Sequence, residues 1–470
     1  MADDLLDIVE HEVTNNASPD DIHAKLEKQG YLAEDIETAI QKVQDRQGKQ
    51  SKDRRLAQIF STKEAFDRFG YGFVPHQFMN ILFHLIGANL FMLGVVNGAK
   101  SIISIVLSSI FQEYSKAKPV KKSIVSVSGY LFGFSFIGLS FAIWFESVPA
   151  FAAFLLLSAA GIVSHGDLYN KFVRDRLKKE RMNKFLKKMG QYGVMITAIS
   201  MLISSYLLER FPRTGEETIT FLGTTYPVFG YLISFEITAI AFIMSGYFVS
   251  LVEETTDTKQ ATRFLHTYWE KIKVYLSTFL QNKKLFLLIM TSIIVGFTQV
   301  IGNAYYGVYI YENFKTMWLG GFINVGIIYF IAVIASLFGP WFSRTMQDTT
   351  GLAPTLVFGS LLSALLPLVL AYNPNLLAIG AANAVTVIGG SILGVSQGLL
   401  ARNLLFEDER RVYFSIASLA GVVPFLILFP LASWYAGTFG LEALFKIIAA
   451  ILIVVVAPLY VTLVVMGDES

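Results

Sequence analysis

Hydrophobic residues in this chain gather in long continuous runs, separated by short polar stretches. A bilayer core about 30 Å thick takes roughly 20 apolar residues per helix. Twelve runs meet or approach that length, at about 75–97, 99–114, 122–144, 148–165, 190–208, 226–250, 285–305, 317–340, 352–372, 376–401, 412–434 and 441–465. The second is the shortest and is parted from the first only by Asn97-Gly98-Ala99-Lys100. The runs do not alternate with period two, so they predict spanning helices and not a barrel. The first run lies behind a long polar segment, so it does not read as a cleavable signal peptide.

Two segments follow another pattern. Residues 1–50 predict a small three-helix cytosolic domain. Ser18-Pro19-Asp20-Asp21 is a helix start, with Ser as the cap, Pro at the first position and acids in the first turn. Gly30 is a stop. Ile22 and Leu26 share one face, Ile36, Ile40 and Val43 another, and Leu5, Leu6, Val9 and Val13 complete an apolar set similar in pattern to ubiquitin-associated-type bundles. This segment holds 12 acids against 5 bases, and it is read as a tethered cap or as a docking module for a cytosolic protein. Residues 51–74 then read as a basic linker. In 251–284, Leu265, Trp269, Ile272, Leu276 and Phe279 recur at helical spacing among Lys and Arg, which predicts an amphipathic helix on the inner membrane surface. It would join a bundle of six spans in 75–250 to a second in 285–466.

Composition supports this division. Of 470 residues, 54% are hydrophobic and 16% charged, with a mean hydropathy of +0.53. A soluble domain carries about 25% charge. Disulfides, thiolate metal sites and cysteine nucleophiles are excluded by the absence of Cys. Charge sorts by side. With the N-terminus inside, 28 of the 38 Lys and Arg fall on inner segments and 5 on outer turns or span ends, among them Lys100. The remaining bases are in the N-terminal domain. By the positive-inside rule both termini are cytoplasmic, and the expected location is the cell membrane.

The two blocks of six show traces of duplication. Ser164-His165-Gly166-Asp167-Leu168 ends the fourth span and Ser396-Gln397-Gly398-Leu399-Leu400 the tenth. Short inner loops follow the second and eighth spans, with Ser109 to Glu113 in one and Gly339 to Arg344 in the other. In this layout the chain resembles the major facilitator superfamily, whose loops at these two places carry a G-x-x-x-D-R-x-G-R-R-like motif. Here Glu113 stands for the Asp, Tyr114 for the Arg and Ser109 for the Gly, with Lys116 following; the second copy keeps Gly339 and Arg344. These four, Glu113, Lys116, Gly339 and Arg344, are the gating-loop candidates that the resemblance implies. Leu168-Tyr169-Asn170, Gly190-Gln191-Tyr192-Gly193 and the stretch from Gly390 through Gln397 to Arg402 look similar to the branch that includes vacuolar amino-acid effluxers. The resemblance implies an all-α polytopic protein of two six-helix bundles around a midplane cavity, lined at its centre by spans one, four, seven and ten. A monomer is the implied state.

Polar side chains within the spans are candidates for that cavity. Gln77, Asn80 and His84 form a stripe on the first, Gln299, Asn303 and Tyr306 on the seventh. On the tenth, Asn383 and Thr386 share a face with Gly390 and Gln397. Each of these amides also serves as ordinary interhelical glue. His84 and Glu236 are the ionisable groups well inside spans, hence the candidates for carrying a coupling proton. Gly390, Gly394 and Gly398 predict a close helix approach. No Lys or Arg falls in the middle of the predicted spans one, four, five, seven, eight, ten or eleven. Anionic substrates usually want such a cation, so the expected solute is small and neutral, zwitterionic or amphiphilic. No H-E-x-x-H, no mid-span carboxylate pair and no G-x-x-x-x-G-K-[ST] occurs. A secondary transporter without cofactor, metal or nucleic acid is the reading; the alternative is a transport-inactive sensor of the same fold signalling through residues 1–50.

Overall fold

The computed structural model describes all residues except 1, 15–16, 118–119, 178, 222–223, 254–263, 373, 418 and 469–470. The chain opens with α1 (Ala2–Thr14), α2 (Pro19–Lys28) and the first turns of α3 (Ala33–Phe73). The Ser18 hydroxyl accepts the Asp21 N–H at 3.2 Å. Gly30 takes a φ of +91°, which ends α2 where a side chain would be strained. Leu5, Val9, Ile22, Leu26, Ile36, Ala39, Ile40 and Val43 are buried together as the core of this small unit.

Helix α3 does not stop at the edge of the domain. It runs unbroken to Phe73, where Pro75 interrupts it, and α4 (His76–Leu85) continues the same crossing. Residues 51–74 are therefore not a linker, and the first crossing is not 75–97. The reason is electrostatic. Lys63 and Asp67 are 1% and 4% exposed and neutralise each other inside the protein, whereas a hydropathy window counts both as polar. The second crossing shifts with the first: α5 occupies Leu90–Ala117, not 99–114, so Lys100 lies well inside a helix and not in an outer turn.

The first half continues with α6 (Lys122–Trp144), α7 (Val148–Val163), a π-helical turn at Ser164–Leu168, α8 (Tyr169–Arg174), α9 (Lys179–Arg210) and α10 (Gly230–Ser250). Between α9 and α10, β1 (Thr218–Phe221) and β2 (Thr224–Pro227) form an antiparallel hairpin with Thr218 opposite Pro227. Helix α11 (Phe264–Gln281) crosses to the second half. Its Phe279 is buried and stacks on Phe286 at 5.2 Å, Ile272 packs on the core, and Leu276 stays exposed. The Leu265 and Trp269 side chains lie outside the described residues.

The second half comprises α12 (Lys283–Phe314), α13 (Gly321–Ala335), α14 (Gly339–Thr350), α15 (Leu352–Ser363), α16 (Leu365–Tyr372), α17 (Leu376–Leu404), α18 (Glu407–Ile416), α19 (Val422–Phe439), α20 (Leu441–Ala450), a π segment at Ile451–Val456 and α21 (Ala457–Asp468). Among the described residues, nine helices are long and apolar enough to cross a membrane; α13 and α14, bent by 45°, make a tenth. The count of twelve expected from the runs is not reached on length and apolarity alone. Helix α7 is apolar but short, and the α3–α4 crossing is broken and charged. The chain is a multi-pass membrane protein.

The two halves are joined on the side away from the N-terminal domain. The Asn80 amide donates to the Ala304 carbonyl at 3.1 Å, the Tyr305 hydroxyl to the Leu90 carbonyl at 2.8 Å, and the Phe322 N–H to the Glu209 carboxylate at 2.7 Å. Helices α5 and α19 meet closely there: a Cβ on Gly98 would fall 2.5 Å from the Phe429 ring, so only glycine fits. On the side of the N-terminal domain the bridge runs through α11, whose Lys271 ammonium is 3.8 Å from the Glu113 carboxylate.

Candidate functional site

Just inside this closure lies a cavity of about 490 Å³, within the range of sites for small organic molecules (about 300–1,000 Å³). It lies mostly in the second half. Gln77 of α4 is the first-half contribution, brought against α12 because Gly307 opposite it has no side chain. Helix α12 supplies Gln299, Asn303 and Tyr306, at spacings of four and three along one face. Helix α17 supplies Asn383, Thr386 and Gly390, and α13 supplies Tyr329.

These groups differ in how free they are. The Thr386 hydroxyl donates to the Leu362 carbonyl at 3.2 Å and accepts the Leu366 N–H at 3.0 Å, so it mends the break between α15 and α16. The Asn383 amide is buried and donates to the Ile328 carbonyl at 3.4 Å. Gln299 and Asn303 are another matter. Both are exposed although the helix around them is buried, and neither side-chain amide holds a hydrogen bond among the described residues. Two amides open to one cavity within the membrane are donors and acceptors awaiting a partner. Gly390 keeps the opposite wall open, with the Gln299 amide nitrogen 3.7 Å from where a Cβ would stand.

Several expected residues are elsewhere. Asn80 is fully buried; besides its bond to Ala304 it accepts the Asn97 amide at 3.0 Å, and it lies 3.2 Å from His76. It locks α4, α5 and α12 together. His84 sits at the far closure, with Nδ1 2.8 Å from the Ala88 carbonyl and Nε2 3.9 Å from Glu312. Gln397 donates to the Tyr460 hydroxyl, which ties α17 to α21. Glu236 accepts the Ser140 hydroxyl at 2.7 Å and pairs α10 with α6. Gly394 and Gly398 face open space, and the close approach on α17 is made by Gly389, whose Cβ would lie 2.8 Å from the Gly359 carbonyl. Among the loop candidates, Glu113 is buried near the end of α5 and Arg344 is exposed. Gly339 is buried against Ser391 of α17, where Ser343 and Gln347 of α14 also bond Ser396 at 3.3 and 2.7 Å. The Lys116 side chain lies outside the described residues.

The overall arrangement is shared with solved structures. The nucleoside transporter NupG superposes with a TM-score of 0.66 at 11% identity, covering 88% of this chain and 98% of that one. The fold is that of the major facilitator superfamily. A D-xylose-proton symporter gives a TM-score of 0.59 at 14% identity, covering 86% of this chain and 97% of that one. A POT family transporter in complex with a thioalcohol conjugated peptide gives 0.61 at 14%, covering 88% and 96%. No protein-family model and no curated protein matches the chain.

Within this major facilitator fold the first half holds a feature that the runs of hydrophobicity conceal. The Lys63 ammonium lies 2.5 Å from one Asp67 oxygen, and His165 Nε2 lies 2.8 Å from the other. Lys63 also covers the Tyr169 ring at 3.2 Å from its centroid, and the Ser245 hydroxyl is 3.1 Å from the His165 Nε2. His165 Nδ1 is buried with no hydrogen-bond partner. The π-helical turn at Ser164–Leu168 presents this imidazole to α3 and α10. A signal for the pair is present in the sequence: Lys63 and Asp67 stand four apart among Phe60, Phe66, Phe69, Tyr71 and Phe73.

Proposed function

We propose that the chain is a transporter of a small organic solute, neutral, zwitterionic or amphiphilic, working by alternating access. The observation that carries the reading is the pair of unpartnered amides, Gln299 and Asn303, exposed to a membrane-level cavity between two halves that are joined on one side of it. The neighbours of the same fold are described as transporters of a nucleoside, of D-xylose with a proton, and as a POT family member. That supports a carrier role and not a catalytic one. Rocking of the halves would part the Asn80–Ala304, Tyr305–Leu90 and Phe322–Glu209 bonds and close the other side. The termini are assigned to the cytoplasmic face of the cell membrane from the distribution of Lys and Arg.

In this reading His84 belongs to the far closure and Glu236 to helix packing. The experiment is counterflow in proteoliposomes with a panel of amino acids, sugars, nucleosides and amphiphiles. A solute taken up by the wild type and at least tenfold less by Asn303→Ala is the expected result. Uptake of none, or uptake indifferent to both Asn303→Ala and Gln299→Ala, refutes it. One observation favours the sensor alternative: α3 joins the N-terminal domain to the first crossing without a break, so a cytosolic protein bound there would act on that helix directly. Removal of residues 2–30 with unchanged uptake would dismiss such an input.

A further inference from the structure

Lys100 stands inside α5 with no hydrogen bond or ion pair among the described residues, in a part of the protein where an unpaired ammonium is costly. Its surroundings follow from the helix geometry. Asn97 of α5 donates to Asn80 of α4 at 3.0 Å. The two helices run in opposite directions. Lys100 is one turn beyond Asn97, and His76 is one turn before Asn80, so both steps lead the same way from that bond, toward the N-terminal-domain side. Lys100 and His76 thus face each other, and they are electrostatic neighbours. His76 bonds Asn80 through Nε2, and its Nδ1 is buried without a partner. His76 opens α4, where the first backbone N–H groups have no helical acceptors. The next residue, Gln77, lines the cavity. Glu113, on the same helix, is committed to Lys271.

We propose that Lys100 and His76, which lie beyond the cavity wall next to its lining residue Gln77, form an anion subsite at the edge of the cavity and hold the carboxylate of the transported solute. The proposal rests on the transporter reading above and narrows it to solutes that carry a carboxylate. The remainder of such a solute would reach from Gln77 toward Gln299 and Asn303. A zwitterion or a monocarboxylate with a polar or apolar body fits; its amide or methyl ester would not.

The test compares amino acids and straight-chain monocarboxylates with their primary amides on the full chain, by thermal shift in detergent and by uptake into phosphatidylcholine vesicles. In the wild type, carboxylates stabilise and are taken up, and amides are not. A charge-assisted hydrogen bond makes Lys100→Met lose about ten- to a hundredfold in affinity, and Lys100→Arg retains part of it. Lys100→Met also raises the melting temperature of the empty protein, because an unpaired charge has been removed. That rise excludes misfolding as the cause of the loss. Equal response to carboxylates and amides, or Lys100→Met retaining the preference, overturns the subsite and leaves the transporter reading intact. Uptake of no solute of any class overturns both. Stabilisation by phosphatidylglycerol alone, lost in Lys100→Met, would reassign the subsite to a lipid headgroup and overturn the solute assignment.

Discussion

Replacing Asp67 by Asn leaves the shape of the first-half cluster nearly unchanged and removes the carboxylate that pairs with Lys63. The Lys63 side chain is 1% exposed and the Asp67 side chain 5%, so water cannot take over the carboxylate's role. Breaking a buried pair by removing one partner costs about 3–5 kcal/mol, because the other charge is left uncompensated. The Tyr169 ring at 3.2 Å offsets part of this, about 1 kcal/mol for a cation over an aromatic face. Asn can still accept from His165, so the change isolates the charge from the hydrogen bond. A net loss of about 3 kcal/mol corresponds to a drop of roughly 3–6 °C in melting temperature for a chain of this size, extrapolating from smaller domains. The double variant Lys63→Met/Asp67→Leu buries no charge and recovers most of the loss. The assay is thermal unfolding of the detergent-solubilised protein followed by tryptophan fluorescence, with the wild type and both variants side by side. Asp67→Asn shifted by less than about 1 °C, or a double variant as unstable as Asp67→Asn, would refute a buried and mutually dependent pair.

Gly98→Ala places a methyl group 2.5 Å from the Phe429 ring; overpacking of this kind costs about 1–3 kcal/mol. Because the contact belongs to the closure, the variant should favour opening on the side away from the N-terminal domain, read as faster labelling of a cavity cysteine from that side. Asn80→Ala removes the bonds to Ala304, Asn97 and His76 and should lower the melting temperature by an amount equivalent to about 1–2 kcal/mol. Glu209→Gln keeps the bond to the Phe322 N–H but loses its charge at the start of α13, and should loosen the closure by about 0.5–1 kcal/mol, measured by the same labelling.

The sequence carries the architecture because a membrane demands long apolar runs, and those runs are visible without any structure. The stripes on α12 and α17 were readable for the same reason: Gln299, Asn303 and Tyr306 had to turn one face away from lipid. It was harder to tell which polar groups stay free. Asn80 and Gln397 have the same spacing credentials as Asn303, and Glu236 stands as far inside its span, yet each is satisfied by a neighbour on another helix, and only the fold brings those neighbours together. The first crossing was misplaced because Lys63 and Asp67 cancel across one helical turn. That single shift carried the second crossing with it, and Lys100 moved from a loop into the membrane, taking with it the main reason to expect a solute without an anionic group.

Alternating access is tested most directly at Ser336, a cavity-lining residue in a chain with no native cysteine. Ser336→Cys supplies one thiol with a small increase in size, and a membrane-impermeant maleimide applied to right-side-out and inside-out vesicles reports which face reaches it. Labelling from both faces, slower from the side of the Asn80–Ala304 closure and shifted in ratio by the transported solute, is the predicted result. Labelling from one face only, with a ratio no solute changes, would contradict a carrier that opens alternately to the two sides.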